Sequence, residues 1–357
     1  MNDNIFYIQD YYHYLISFIG ILIILSFLSY FKNKRPKFSF TIPVISFALF
    51  TVYYIGNRNV YIGVDTIRYE NAFLYYKNLQ EFEIRKDLFY DLLSFLISRF
   101  SDFQTLLIFC AFLYVFGALY GLKKIFKKEY YLAFFVFLIS PYFFGNGISA
   151  IRSGVAASLL LLGLGVYYEK GNTWKVILLI ILSILFHISM FVPVLFLFLT
   201  RFVKNTKAIF VLWSISILLG ILKINIIMPV VEAFDTFASR MDTYAVNEGE
   251  RDFWMNFVIF GFFPVVFAVY NILILKYKND FYKWIVNAYM LIHVPYIVLI
   301  NSEYGLRLGY LAEFMMPIIL IFPLLIDPKI KIKYVHLKLG ILIFCVFMIK
   351  AYKVLLK

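Results

Sequence analysis

Apolar runs about as long as a bilayer is thick recur along this chain, and they limit its fold more than any other feature. An α-helix needs about 20 consecutive apolar residues to cross the hydrocarbon core. Such runs fall at about 11–31, 40–57, 103–122, 130–147, 149–168, 174–202, 207–228, 253–275, 282–300, 306–326 and 336–355. Across the 357 residues, 63% are hydrophobic, whereas soluble domains are nearer half apolar. No polar stretch is long enough to bury a core of its own. The expectation is an all-α polytopic membrane protein with about 10–12 transmembrane helices, forming a single integral membrane domain over 1–357. The segment "DLFYDLLSFLISRF" (87–100) has apolar residues at helical spacing but is too polar to span. It is expected to be an interfacial helix, or a short helix leaning on the bundle.

The formal net charge is +13, and in a membrane protein such an excess first marks cytoplasmic loops. Basic residues are scattered over short loops, which argues against a nucleic-acid partner and leaves membrane lipids as the surroundings. "FKNKRPKF" (31–38), "KKIFKK" (123–128), "KYKNDFYK" (276–283) and "DPKIKIKYVHLK" (327–338) are expected inside. Counting crossings from the first puts the N-terminus outside. A single crossing at 174–202 would then place the basic "RFVKNTK" (201–207) outside and invert every later loop. A broken or re-entrant helical pair near 174–202 removes the conflict, and "FHISMFVP", with His187, Ser189 and Pro193, offers the break. The outer loops are then about 58–102, 229–252 and 301–306, and the C-terminus is also outside. Cys110 and Cys345 both lie in apolar runs and imply no disulfide framework. The acidic start "MNDNIFYIQD" lacks the basic region of a signal peptide.

Charges on the outer face carry the chemistry. Arg152, in "GNGISAIRSG", sits about one turn inside an apolar helix, leaning toward its N-terminus. Beside free backbone N–H groups and the positive end of the helix dipole it makes a site for a phosphate or pyrophosphate. The alternative is an arginine that snorkels or pairs with a nearby acid. Ala150, Gly154 and Ser158 form a small-residue stripe that lets another helix pack closely. Arg307 opens a later span at the same level, against the dipole, and calls for an anion or for Glu303 one turn earlier. In "YIGVDTIRYENAF", Asp65, Arg68 and Glu70 lie among tyrosines, a composition that suits a sugar and equally an interfacial tyrosine belt. Arg240 and Arg251 are phosphate or sugar ligands, or solvated charges. His187 lies about 13 residues into its run, roughly 20 Å deep from the inner side. It is either a general base for an acceptor hydroxyl or a cap for backbone groups at the break. No Gly-rich phosphate loop, Ser–His–Asp arrangement or metal-ligand cluster is legible. No cofactor or metal is expected, since arginines can supply positive charge.

These residues carry a family likeness. The stretch from "AIRSGVAASLLLLGLGVYYEKGNTWKVILLIILSILFHISMFVPVLF" resembles the signature of the EpsG family of bacterial exopolysaccharide and capsule proteins, itself similar to Wzy-type O-antigen polymerases. The pattern is an Arg opening a small-residue span, a charged turn, and an apolar span ending in Phe-His-x-Ser. Arg152, His187 and Ser189 match it. So do Gly63, Asp65 and Tyr69 in the early loop, and Arg307 and Tyr310 in the late "RLGYLAEFMMP". Ser153-Gly154 follow the arginine where the family commonly has Gln-Gly or Gln-Ala. The resemblance implies a glycosyltransferase of the polymerase type in the bacterial plasma (inner) membrane, with its active face periplasmic or extracellular. It would move a growing glycan from undecaprenyl pyrophosphate onto a lipid-linked repeat unit. Arg152 and Arg307 would hold the pyrophosphate, and His187 or Asp65 would take the acceptor proton. Arg68, Glu70, Arg240, Arg251, Glu303 and Tyr310 would contact sugar or phosphate. A flippase and a chain-length regulator are candidate partners. The competing expectations are a polysaccharide ligase and a non-catalytic lipid or polysaccharide transporter.

Overall fold

A computed structural model describes residues 2–31, 41–224, 261–300 and 308–326. Among these residues the regular structure is entirely helical. The described residues form two compact units, one ending at Ile188 and the other beginning at Ser189.

The first unit begins with α1 (Asn2–Phe31) and α2 (Thr41–Gly56). The outer segment follows as α3 (Thr66–Asn78) and α4 (Leu88–Ser98), so the expected loop 58–102 contains two helices, α4 being the short helix foreseen at 87–100. Next come α5 (Phe103–Phe126), α6 (Tyr130–Ile139), α7 (Pro141–Ile148), α8 (Ile151–Tyr168) and α9 (Thr173–Phe186). The expected span 130–147 is thus two helices. Pro141 has no N–H to continue the ladder, and Ser140 restarts it by accepting the Phe143 N–H at 3.2 Å.

The centre of this unit is the α5–α8 pair. Gly117 and Gly121 of α5 face Ser158, Leu161 and Gly165 of α8 so closely that a Cβ on Gly121 would lie 2.8 Å from the Leu161 carbonyl oxygen. Small residues in a lipid-facing bundle let backbones approach where larger ones would hold them apart. The small stripe on α8 works on two partners: Gly154 lies against Asn146 of α7, and Ser158 against Gly117. On another side of α8, the Ser183 hydroxyl of α9 donates to the Ala156 carbonyl at 2.6 Å.

The long run at 174–202 is broken where the sequence places the break. α9 stops at Phe186, His187 is extended (φ −157°, ψ 110°), and a 3₁₀ turn, Ile188–Met190, leads into α10 (Phe191–Leu199). Pro193 falls in the first turn of α10, where a missing N–H costs nothing. In the second unit α10 and α11 (Thr206–Ile221) pack on α13 (Asp280–Val298), while α12 (Phe263–Val269, continued by a π turn over Tyr270–Ile274) packs on α14 (Met316–Leu325). A Cβ on Gly220 of α11 would stand 2.6 Å from the Ile297 carbonyl of α13, so this contact too depends on a missing side chain.

Among the described residues, three stretches, Phe103–Ile139, Ile151–Tyr168 and Leu308–Leu325, are helical, long and apolar enough to cross a membrane, and six shorter apolar helices accompany them. The first of these is interrupted by the charged turn at Lys127, which takes a positive φ of 49°. The run expected at 336–355 lies outside the described residues.

Candidate functional site

The site is assembled on a carboxylate. Asp87 is the N-cap residue of α4, yet its side chain makes no cap hydrogen bond. Asp91, in the first turn of α4, reaches back instead. Its Oδ2 accepts the N–H groups of Arg85 (2.9 Å), Lys86 (2.7 Å) and Asp87 (3.1 Å). One acid therefore satisfies the loop backbone, and the other is released to face inward.

Asp87 turns that freed carboxylate onto two residues that the sequence singled out. Oδ2 accepts Arg152 Nη1 at 2.6 Å and lies 3.3 Å from His187 Nδ1. Oδ1 accepts the Ile188 N–H at 3.1 Å. That N–H is exposed by the helix break, so the extended His187 both points its ring at Asp87 and frees the next amide. The Asp87 side chain is 3% exposed, whereas Arg152 and His187 remain 18% and 23% exposed. The acid is the buried floor of the cluster, and the two bases form its accessible rim. Burial alone would raise the Asp87 carboxyl. His187, Arg152 and the Ile188 N–H outweigh it and hold the group below its ordinary value of 3.8.

Aromatic rings wall the cluster. The Arg152 guanidinium carbon lies 5.4 Å from the ring centre of Tyr69 and 5.7 Å from that of Tyr90, and the two rings are 5.6 Å apart. Tyr90 also packs against Phe186, the last residue of α9. Arg152 Nε is buried with no hydrogen-bond partner among the described residues. No side chain caps the start of α8. The N–H groups of Ser149 and Ala150 donate to the Gly145 carbonyl, and that of Gly154 to the Ala150 carbonyl.

The outer segment is fixed to this region by an arginine that the sequence reading passed over. Arg58, 2% exposed, donates to the carbonyls of Ile55 (2.5 Å), Ile62 (3.3 Å) and Ile148 (2.8 Å). Thr66 adds a bond to the Ile148 carbonyl at 3.1 Å, and the Val64 N–H donates to Ser149 Oγ at 3.2 Å. Gly63 crosses the end of α7 with φ 93°, where a Cβ would collide with the Ile148 carbonyl.

The remaining expected site residues divide as follows. Asp65 pairs with Arg68 at 3.2 Å on the surface, three residues along α3, and makes none of the hydrogen bonds of the Asp87 cluster. Glu70 is half-buried on the same helix, and Tyr310 is exposed. Arg307, Glu303, Arg240 and Arg251 lie outside the described residues. Asp87 itself was legible only as the first residue of an amphipathic segment. The signal that could have marked it is the pair of acids four apart at a helix start, where one suffices for capping.

A helical membrane bundle with a polar cluster of Arg, Asp and His at the ends of its helices defines the class of this protein. The match to a family model makes it particular: the EpsG family model covers residues 41–357, nearly the whole chain, and the chain belongs to that family. Neither the search of curated proteins nor that of solved structures returned a match. Family membership supports a role of the polysaccharide-polymerase type.

Proposed function

We propose that this protein joins polysaccharide repeat units at the outer face of the bacterial plasma membrane, moving a growing glycan from undecaprenyl pyrophosphate to a lipid-linked acceptor. The observation that carries the proposal is the convergence of Arg152 and His187, from two different helices, on Asp87. Glycosyl transfer from a diphosphate needs positive charge where the leaving group departs and a base at the acceptor hydroxyl. Arg152 supplies the first. Its guanidinium has five N–H donors, and Nη1 is the one that Asp87 engages. His187 supplies the second. The glycosidic bond forms from the acceptor oxygen to the anomeric carbon as the bond from that carbon to the diphosphate oxygen breaks. The bonding pair leaves with undecaprenyl pyrophosphate, and the acceptor proton goes to His187.

Asp87 offsets the charge of Arg152 within the protein. The exposed Arg85 and Lys86, which precede Asp87 in the chain, are further cations for the diphosphate. The tyrosines and acids of α3 suit sugar rings and hydroxyls. Reconstitution with a pyrophosphate-linked oligosaccharide tests this directly. A ladder of evenly spaced products, abolished by Arg152→Lys, is the expected result. A purified protein that builds no ladder but carries the substrate across vesicles would be a transporter, and the proposal would fail.

A further inference from the structure

Resting on the reading of His187 as the acceptor's base, we infer that Asp87 is a positioning residue that fixes which nitrogen of His187 is free to take the proton. The carboxylate stands on the Nδ1 side of the ring at 3.3 Å. A carboxylate is an acceptor only, so the ring presents Nδ1–H to it and leaves Nε2 with its lone pair. Nε2 has no protein partner among the described residues, and the His187 side chain is 23% exposed. The basic nitrogen is therefore the accessible one.

Asp87 cannot swing away from this task. Its Oδ1 is held by the Ile188 N–H at 3.1 Å and its Oδ2 by Arg152 at 2.6 Å. It is built into the start of α4, where Asp91 accepts its backbone N–H at 3.1 Å. When Nε2 accepts the hydroxyl proton, the imidazolium that forms already faces a negative charge on its other side. The proton gained at Nε2 is the one lost by the acceptor oxygen, and Asp87 stays ionised throughout. Arg152 shares the same oxygen, so the carboxylate that orients the base also sets the guanidinium beside it. One residue thus registers the base against the anion-binding group.

The tautomer can be read without substrate. Imidazole ¹⁵N labelling of the full chain in nanodiscs gives separate signals for its four histidines, with His187 assigned by its loss in His187→Gln. The neutral His187 ring is expected as the Nδ1–H form. In Asp87→Asn, whose amide can donate, the Nε2–H form should become the main species, and Asp87→Glu should restore Nδ1–H in part. An Nε2–H ring in the parent protein, or the same tautomer in parent and Asp87→Asn proteins that both remain folded, would overturn the inference. If the tautomer behaves as expected but the reconstituted protein makes no glycan, the positioning role stands and the assignment of the reaction falls. In an active preparation, Asp87→Asn should lower kcat at least tenfold with little change in KM for the lipid-linked substrate. A purely structural role would lower activity only in proportion to the folded fraction, with kcat per folded molecule and the His187 tautomer unchanged.

Discussion

Arg152 and Asp87 form a pair whose members come from distant parts of the chain and meet where water is scarce, and such pairs are costly to halve. Removing one partner leaves an uncompensated charge, a loss of about 3–5 kcal/mol in buried settings. With Arg152 18% exposed, the lower end of that range is the better guide. Arg152→Met is therefore expected to lower thermal stability in detergent markedly. Adding Asp87→Asn should recover part of the loss, a coupling of about 1–3 kcal/mol. Additive effects on the melting temperature would show that the pair contributes nothing as a pair. Acid provides a second check. Burial works to raise the Asp87 carboxyl, but His187, Arg152 and the Ile188 N–H hold it below 3.8. A lowered folded value means that the stabilisation is complete above the unfolded value, and is lost as pH falls through the folded one. Melting temperature should owe no change to this group down to about pH 4 and should fall below that. The fall should be shallower in Asp87→Asn, and an unchanged acid slope would count against the pairing.

At the scale of elements, the cluster depends on helices whose ends are held at a fixed height. α8 carries Arg152, α9 carries His187 to its C-terminal break, and the two are joined along their length by contacts such as Ser183 to the Ala156 carbonyl. α8 is in turn seated on α5 through glycines. Gly121→Leu places a side chain where only 2.8 Å separates its Cβ from the Leu161 carbonyl. Overpacking of that kind costs typically about 1–3 kcal/mol, and here the obstacle is backbone, which cannot rotate away. The expected outcome is a lower melting temperature together with loss of activity, although Gly121 touches no site residue. Asp91→Ala is milder. It strips an acceptor from three loop N–H groups, a loss of about 0.5–2 kcal/mol for a cap. It should also let Asp87 turn back toward its own helix start. Activity should therefore fall more than stability does, and a variant with parental turnover would remove Asp91 from the support of the site.

For the whole molecule, hydropathy and charge carry most of the message. The apolar runs at 40–57, 103–122, 149–168 and 282–300 are helices within a few residues of their expected ends. The polar interruption at His187–Pro193 breaks its helix as read. The expected continuous span at 130–147 was wrong because Ser140-Pro141 punctuates it, a local signal outweighed by the apolar composition on either side. The outer segment hid one helix, α3, which is too short and too polar to register as a span, while α4 falls where a short amphipathic helix is expected at 87–100. The positive-inside rule still makes a testable statement about the broken pair. A cysteine placed at Lys204, in a background lacking Cys110 and Cys345, should react with impermeant thiol reagents only from the cytoplasmic side. Labelling from outside alone would mean that the run at 174–202 crosses once.

The amino-acid pattern alone makes this a helical membrane protein in which Arg152 opens one apolar helix and His187 ends another, since each follows from local runs of apolar, charged and helix-breaking residues. It did not determine which acid they meet. Asp65, Glu70, Asp87 and Asp91 all lie in the same polar segment, and composition treats them alike. Asp87 stands 65 residues from Arg152 and 100 from His187, and only packing selects it. Asp65 is drawn to Arg68 on its own helix and Asp91 to the loop backbone. Asp87 alone of the three is left at a helix start that faces the ends of α8 and α9. The tertiary structure decided the site because a salt bridge across that distance is set by where helices end in space, and no periodicity along the chain records that.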